Sequence, residues 1–209
     1  MKIAYIFLNG ELLGDEEFYK NYISKNKGDI YSADGGANLL KKLEIFPLEI
    51  WGDFDSVDLD ILNEYKKNNV IIKKFPKDKD YTDGELIIQY VSSKGYDEIV
   101  IIGGLGGRKD HELSNINLLF LYKNIIFLTQ NEKLFRVENK EILKGIKGKT
   151  ISFVPFSDRV EKLSLKGFKY PLKDYKLSRG ESICMSNIVI SDICEIEFLS
   201  GKLIGIIIN

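Results

Sequence analysis

Leu48-Glu49-Ile50-Trp51-Gly52-Asp53-Phe54-Asp55-Ser56 joins a short apolar run to a turn that carries two carboxylates two residues apart. Leu48 to Trp51 reads as a short buried strand, and Gly52 marks where the chain leaves it. Past that end, both Asp side chains project into a shared loop. Two close carboxylates repel one another unless a proton or a cation sits between them. Hard oxygen ligands of this kind suit Mg²⁺ or Ca²⁺ better than zinc.

The same succession recurs outward from this stretch in both directions. Apolar runs at Ile3–Leu8, Ile30–Ala33, Val70–Phe75, Ile99–Ile102 and Ile125–Leu128 predict further strands. Between them, Glu16–Ser24, Asn38–Leu43, Leu59–Lys67, Thr82–Ser93 and Leu113–Tyr122 have helical spacing. Continuous apolar strands alternating with helices predict an α/β fold, a largely parallel sheet with helices on both faces. Ligands of such sheets bind beyond the carboxyl ends of the strands. From Glu132 the helical period disappears. Leu134–Val137, Thr150–Val154, Val160–Leu165, Ser182–Met185, Ile188–Ile190, Ile193–Leu199 and Leu203–Ile208 predict a small all-β sandwich or barrel. The expected domains are therefore 1–131 and 132–209. A unit of about 75 residues is small for an independent core, so it is expected to pack on the first domain or on a partner subunit.

Composition narrows the function. The chain has 209 residues, 44% of them hydrophobic and 29% charged, with 30 basic and 31 acidic side chains. The formal net charge of −1 provides no global field for nucleic acid. Arg108, Arg136, Arg159 and Arg179 are the only arginines. Cys184 and Cys194 match no zinc or redox spacing and read as buried thiols in a reducing compartment. The apolar N-terminal run is too short for a signal peptide or a membrane span, so a cytoplasmic protein is expected.

Three further loops carry chemistry. Asp34-Gly35-Gly36-Ala37-Asn38 follows a strand and opens a helix, where glycines allow close approach and the helix start attracts anions. A plain strand-to-helix turn fits it equally well. In Asp80-Tyr81-Thr82-Asp83-Gly84-Glu85, Thr82 and Glu85 fit a capping box without any ligand. Capping does not require Asp80 or Asp83, and Asp83 is placed to complete the carboxylate set begun by Asp53 and Asp55. Such a set suits Mg²⁺ shared with a polyphosphate. Gly103-Gly104-Leu105-Gly106-Gly107-Arg108-Lys109-Asp110-His111 offers backbone amides and a guanidinium to a phosphate. The lone His111 reads as a polar residue at a helix start. A dinucleotide fingerprint is excluded because Lys109 stands where its last glycine belongs. Gly148-Lys149-Thr150 lacks the leading glycine of a P-loop, since Leu143 occupies that place. No nucleophile elbow accompanies the single His.

Taken together, the four loops and the later Ser186-Asn187 resemble the thiamine pyrophosphokinase family, in order and over nearly the full chain. The resemblance implies an α/β catalytic domain followed by an all-β domain that binds thiamine and forms the dimer. It implies transfer of the pyrophosphoryl group of ATP to the hydroxyl of thiamine. On that carry-over, Asp53, Asp55 and Asp83 hold Mg²⁺, and Asp34, Gly35, Gly36, Asn38, Gly104, Gly107 and Arg108 form the nucleotide site. Asp110 lies near the reacting groups, with Asp110 or Asp80 as proton acceptor. Tyr170, Ser186 and Asn187 meet thiamine, across a homodimer with shared active sites. Tyr170 stands where family members often have Trp. Two alternatives stay open: pyrophosphoryl transfer to another heterocyclic alcohol such as a pterin, and a non-catalytic nucleotide- or thiamine-binding module.

Overall fold

The computed structural model describes residues 1–76 and 80–209. The chain divides into two compact units, Met1–Gln130 and Asn131–Asn209.

The first unit alternates β1 (Ile3–Phe7), α1 (Glu16–Lys25), β2 (Asp29–Ala33), α2 (Gly36–Lys42), β3 (Glu49–Gly52), α3 (Leu59–Lys67), β4 (Ile71–Lys74), α4 (Asp83–Ser92), β5 (Glu98–Ile102), α5 (Lys109–Asn117) and β6 (Ile125–Leu128). Its strands lie in the order β6-β5-β1-β2-β3-β4, and every pairing among them is parallel. All of β1 is buried, so both faces of the sheet are covered, as a parallel sheet requires. The expected α/β class is therefore observed. From β1 the chain steps through β2 and β3 to β4 at one edge, then returns to β5 on the other side of β1. That reversal opens a crevice beyond the carboxyl ends of β1 and β5. Local sequence sets the helix starts: Asp58 accepts from Asp60 N at 2.9 Å ahead of α3, and Thr82 Oγ1 accepts from Glu85 N at 3.1 Å ahead of α4. The helix expected at Leu113–Tyr122 instead begins at Lys109 and gives way to a 3₁₀ turn, Leu118–Phe120. Its first turn is entirely polar and carries no apolar period.

The second unit contains β7 (Glu132–Val137), β8 (Lys140–Lys144), β9 (Thr150–Pro155), β10 (Arg159–Lys166), β11 (Leu172–Ser178), β12 (Asn187–Ile188), β13 (Ile193–Glu197) and β14 (Leu203–Ile208). They pair antiparallel as β12-β9-β14-β7 and, in a second sheet, as β11-β10-β13-β8, which makes the unit all-β. Its core includes Phe153 and Phe168, edge-to-face at 5.6 Å. Both cysteines are buried and unpaired. Ser182–Met185 is a turn, not the expected strand, and β8 and β11 were not expected at all. Both are edge strands of the second sheet, rich in lysine and acid, and such residues blunt exposed edges while masking the strand period.

Candidate active site

A cleft of about 420 Å³ lies at the carboxyl ends of the first unit's strands. Asn9 and Gly10 reach it from β1, Asp34 from β2, and Asp53, Asp55 and Ser56 from β3. Tyr81, Thr82, Asp83 and Gly84 line it at the start of α4. Gly103, Gly104, Gly106 and Arg108 line it after β5, followed by His111 and Asn115 of α5. The topological reversal thus gathers the loops after four strands and the start of α4 at one place.

Asp34, Asp53 and Asp55 each offer a carboxylate oxygen within 4.8 Å of the others. Asp34 has φ 41° and Phe54 φ 65°, both left-handed. Asp34 N donates to Trp51 O at 2.7 Å, which ties the β2 loop to β3. Within the β3 loop, Asp53 Oδ1 accepts from Asp55 N at 3.2 Å and Asp55 Oδ1 accepts from Ser56 Oγ at 3.0 Å. Asn38 Nδ2 donates to Ser56 O at 2.9 Å, so α2 braces the same loop. Asp34 is only 8% exposed, and its Oδ1 has no hydrogen-bond partner. Burial pushes its carboxyl above the ordinary range; bonds from Ser56 and Gly35 oppose this, and the charges of Asp53 and Asp83 add to it. A buried, partnerless oxygen among like charges is a position that a cation would relieve.

The glycine loop is laced to α5. Asn115 Nδ2 donates to Gly104 O at 2.8 Å, and Gly106 N donates to Glu112 Oε2 at 3.0 Å. Gly103 needs its φ of +70°, and a Cβ there would meet Leu8 O at 2.5 Å. Arg108 grips Asp110 through two bonds, Nη2–Oδ2 at 2.6 Å and Nε–Oδ1 at 3.2 Å, on the open surface. The guanidinium holds the Asp110 carboxyl down at about 2.

In the second unit, Asn187 is buried. Its amide spans the Tyr170 backbone, donating to Tyr170 O at 2.8 Å and accepting from Tyr170 N at 3.0 Å. It thereby holds the Tyr170 ring, which is 54% exposed. Ser186, left-handed at φ 52°, is exposed, and its N donates to Ser152 Oγ at 2.9 Å.

The family model described as "Thiamin pyrophosphokinase, catalytic domain" matches residues 19–129, and that for the vitamin B1 binding domain matches residues 135–203. The chain belongs to the thiamine pyrophosphokinase family. It is 32% identical over 202 residues to thiamine pyrophosphokinase of Bacillus subtilis, covering 94% of this chain and 91% of that one. The solved structure of that enzyme superposes with a TM-score of 0.85 over 100% of this chain and 99% of its own, at 28% identity. The thiamin pyrophosphokinase of Geobacillus thermodenitrificans superposes with a TM-score of 0.85 at 27% identity, over 100% of this chain and 98% of that one.

Within this family member, Asp34, Asp53, Asp55, Asp83, Gly104 and Arg108 line the cleft. Gly35, Gly36, Asn38, Gly107, Asp80 and Asp110 do not. Gly36 is instead a packing requirement, since a Cβ there would collide with Phe7 O. Asn9, Ser56 and Asn115 were not anticipated. Asn9 closes the first loop after β1, and that strand's position beside the reversal was the signal for it.

Proposed function

We propose that the chain transfers the pyrophosphoryl group of ATP to the hydroxyl of thiamine, giving thiamine diphosphate and AMP. The observation that carries this reading is the meeting of Asp34, Asp53 and Asp55 in the cleft, in a chain of this family. An all-oxygen donor set with an orphaned buried carboxylate oxygen fits Mg²⁺. Asp53 and Asp55 would hold the ion, with Asp34 as a third carboxylate beside them and Asp83 facing the same space. When bound, Mg²⁺ supplies charge neutralisation at the phosphate oxygens.

The chain's own residues do the remainder by positioning. The loop amides and Arg108 face the ATP phosphates, and Arg108 must exchange its bond with Asp110 for one with phosphate. The cleft volume is in the range of small-molecule sites. The thiamine hydroxyl loses its proton to a rim carboxylate, Asp80 or Asp110; Asp110 is a weak base only while Arg108 holds it, and gains basicity once Arg108 turns to phosphate. Tyr170 and Ser186 meet thiamine from the β unit of a second copy in a cytoplasmic homodimer. Asn187 acts there by holding Tyr170.

The test is AMP formation from ATP, thiamine and Mg²⁺. Asp55→Asn should lower turnover by about 10²–10³, the scale of losing one preorganised electrostatic group. Near wild-type turnover in Asp55→Asn would sink the assignment. Turnover on a hydroxymethylpterin in preference to thiamine would move the acceptor, and ATP binding without AMP would leave a binding module.

A further inference from the structure

Below the cleft, β3 carries a carboxylate where a buried strand ordinarily has none. Glu49 is 7% exposed. Its Oε1 accepts from the Tyr90 hydroxyl at 2.8 Å and its Oε2 from Trp51 Nε1 at 2.9 Å. Lys73 Nζ lies 2.8 Å from Oε2, and Lys94 Nζ lies 3.9 Å from Oε1. The Trp51 and Tyr90 rings lie 4.4 Å apart, and Lys73 Nζ sits 4.7 Å and 4.5 Å from their centroids. One carboxylate therefore fastens β3 to β4 through Lys73 and to α4 through Tyr90. A buried ion pair adds little net stability, because desolvation offsets its attraction. What it does supply here is a fixed spacing.

Two rigid arms run from this anchor to the cleft. Glu49 to Asp53 is about 13 Å of strand. Tyr90 back to Asp83 is about 10 Å of helix. With Tyr90 held at Glu49, arms of similar length bring Asp53 and Asp83 to the same cleft. The charges of both reach Asp34 there. We infer that Glu49 is a positioning residue that sets the gap between the Asp53–Asp55 loop and Asp83, and so the fit of the cation. The inference rests on the metal-assisted function proposed above.

The test compares Glu49→Gln and Tyr90→Phe in the full chain. Mn²⁺ binding is measured by electron paramagnetic resonance with a nonhydrolysable ATP analogue, alongside the Mg²⁺ dependence of AMP formation, thiamine KM and the thermal midpoint. Each variant should raise half-saturating metal about tenfold, the scale of coupling between contacting groups. Turnover at saturating metal and thiamine KM should stay within about twofold of wild type. The double variant should be no worse than the more impaired single one, since both act on the same anchor. Unchanged metal half-saturation in Tyr90→Phe overturns the inference. So does a fall in thermal midpoint and turnover with metal affinity intact, which marks Glu49 as structural only. Tyr90→Phe decides alone if Glu49→Gln does not fold. A wild-type protein that makes no AMP overturns the function instead, while Mn²⁺ binding still reads the role of Glu49.

Discussion

Asp34 combines three costs in one side chain: a left-handed backbone, burial, and like-charged neighbours. Such costs gather where a ligand later relieves them. Asp34→Asn removes one charge from the cluster without changing its shape. It should raise the metal-free melting temperature by about 2–4 °C, equivalent to roughly 1 kcal/mol in a chain of this size, while lowering turnover by at least about tenfold. Differential scanning fluorimetry with and without Mg²⁺ checks this: the ion should stabilise wild type and leave Asp34→Asn nearly unmoved. Glycines separate in the same way. Gly103→Ala meets Leu8 O at 2.5 Å and Leu39 Cδ1 at 2.9 Å, and should cost about 1–3 kcal/mol for that clash in urea unfolding, added to the left-handed penalty at φ +70°. Gly107→Ala, at φ +75° with nothing within 4 Å, pays only the left-handed penalty of about 1–2 kcal/mol.

At the level of elements, the Glu49 anchor makes a pH prediction. Burial tends to raise its carboxyl pKa, but bonds from Lys73, Trp51 and Tyr90 outweigh that and hold it below its ordinary 4.5. A lowered carboxyl contributes stability above its unfolded value and loses it as pH falls toward the folded one. The melting temperature of wild type should therefore drop more steeply below about pH 4.5 than that of Glu49→Gln; parallel curves would contradict this. Glu49 also shows where the sequence is legible and where it is not. The strand itself could be read from its neighbours, yet a carboxylate inside it finds its partners on β4 and α4, which no local pattern reveals. Asp53 and Asp55 declare themselves by their spacing, but Asp34 joins them only because β2 lies beside β3. His111 already reads as a helix-start residue, but the apolar period places α5 only from Leu113, because Lys109-Asp110-His111-Glu112 has no apolar member. Edge strands β8 and β11 escaped because charge interrupts their alternation.

On the scale of the whole molecule, the strand order does the gathering: one reversal at β1 brings the loops of β1, β2, β3 and β5 and the start of α4 to a single cleft. Among the described residues, no helix is long and apolar enough to cross a membrane. The homodimer with shared sites proposed above predicts complementation. Asp55→Asn and Tyr170→Ala, each nearly inactive alone, should recover about a quarter of wild-type turnover when unfolded together and refolded, since half the dimers then pair one intact cleft with one intact β unit. Sedimentation velocity should show a dimer for both variants. Absence of recovery with dimers present would place each active site within one subunit.

Trp51 is the chain's only tryptophan. It is buried beside Phe75 and Tyr90, bonded to Glu49, and one residue ahead of the Gly52-Asp53 turn. The protein thus carries a built-in optical probe with no competing signal. Excitation at the indole band reports on the carboxylate loop alone, so stopped-flow emission can time metal and nucleotide arrival separately, without any label.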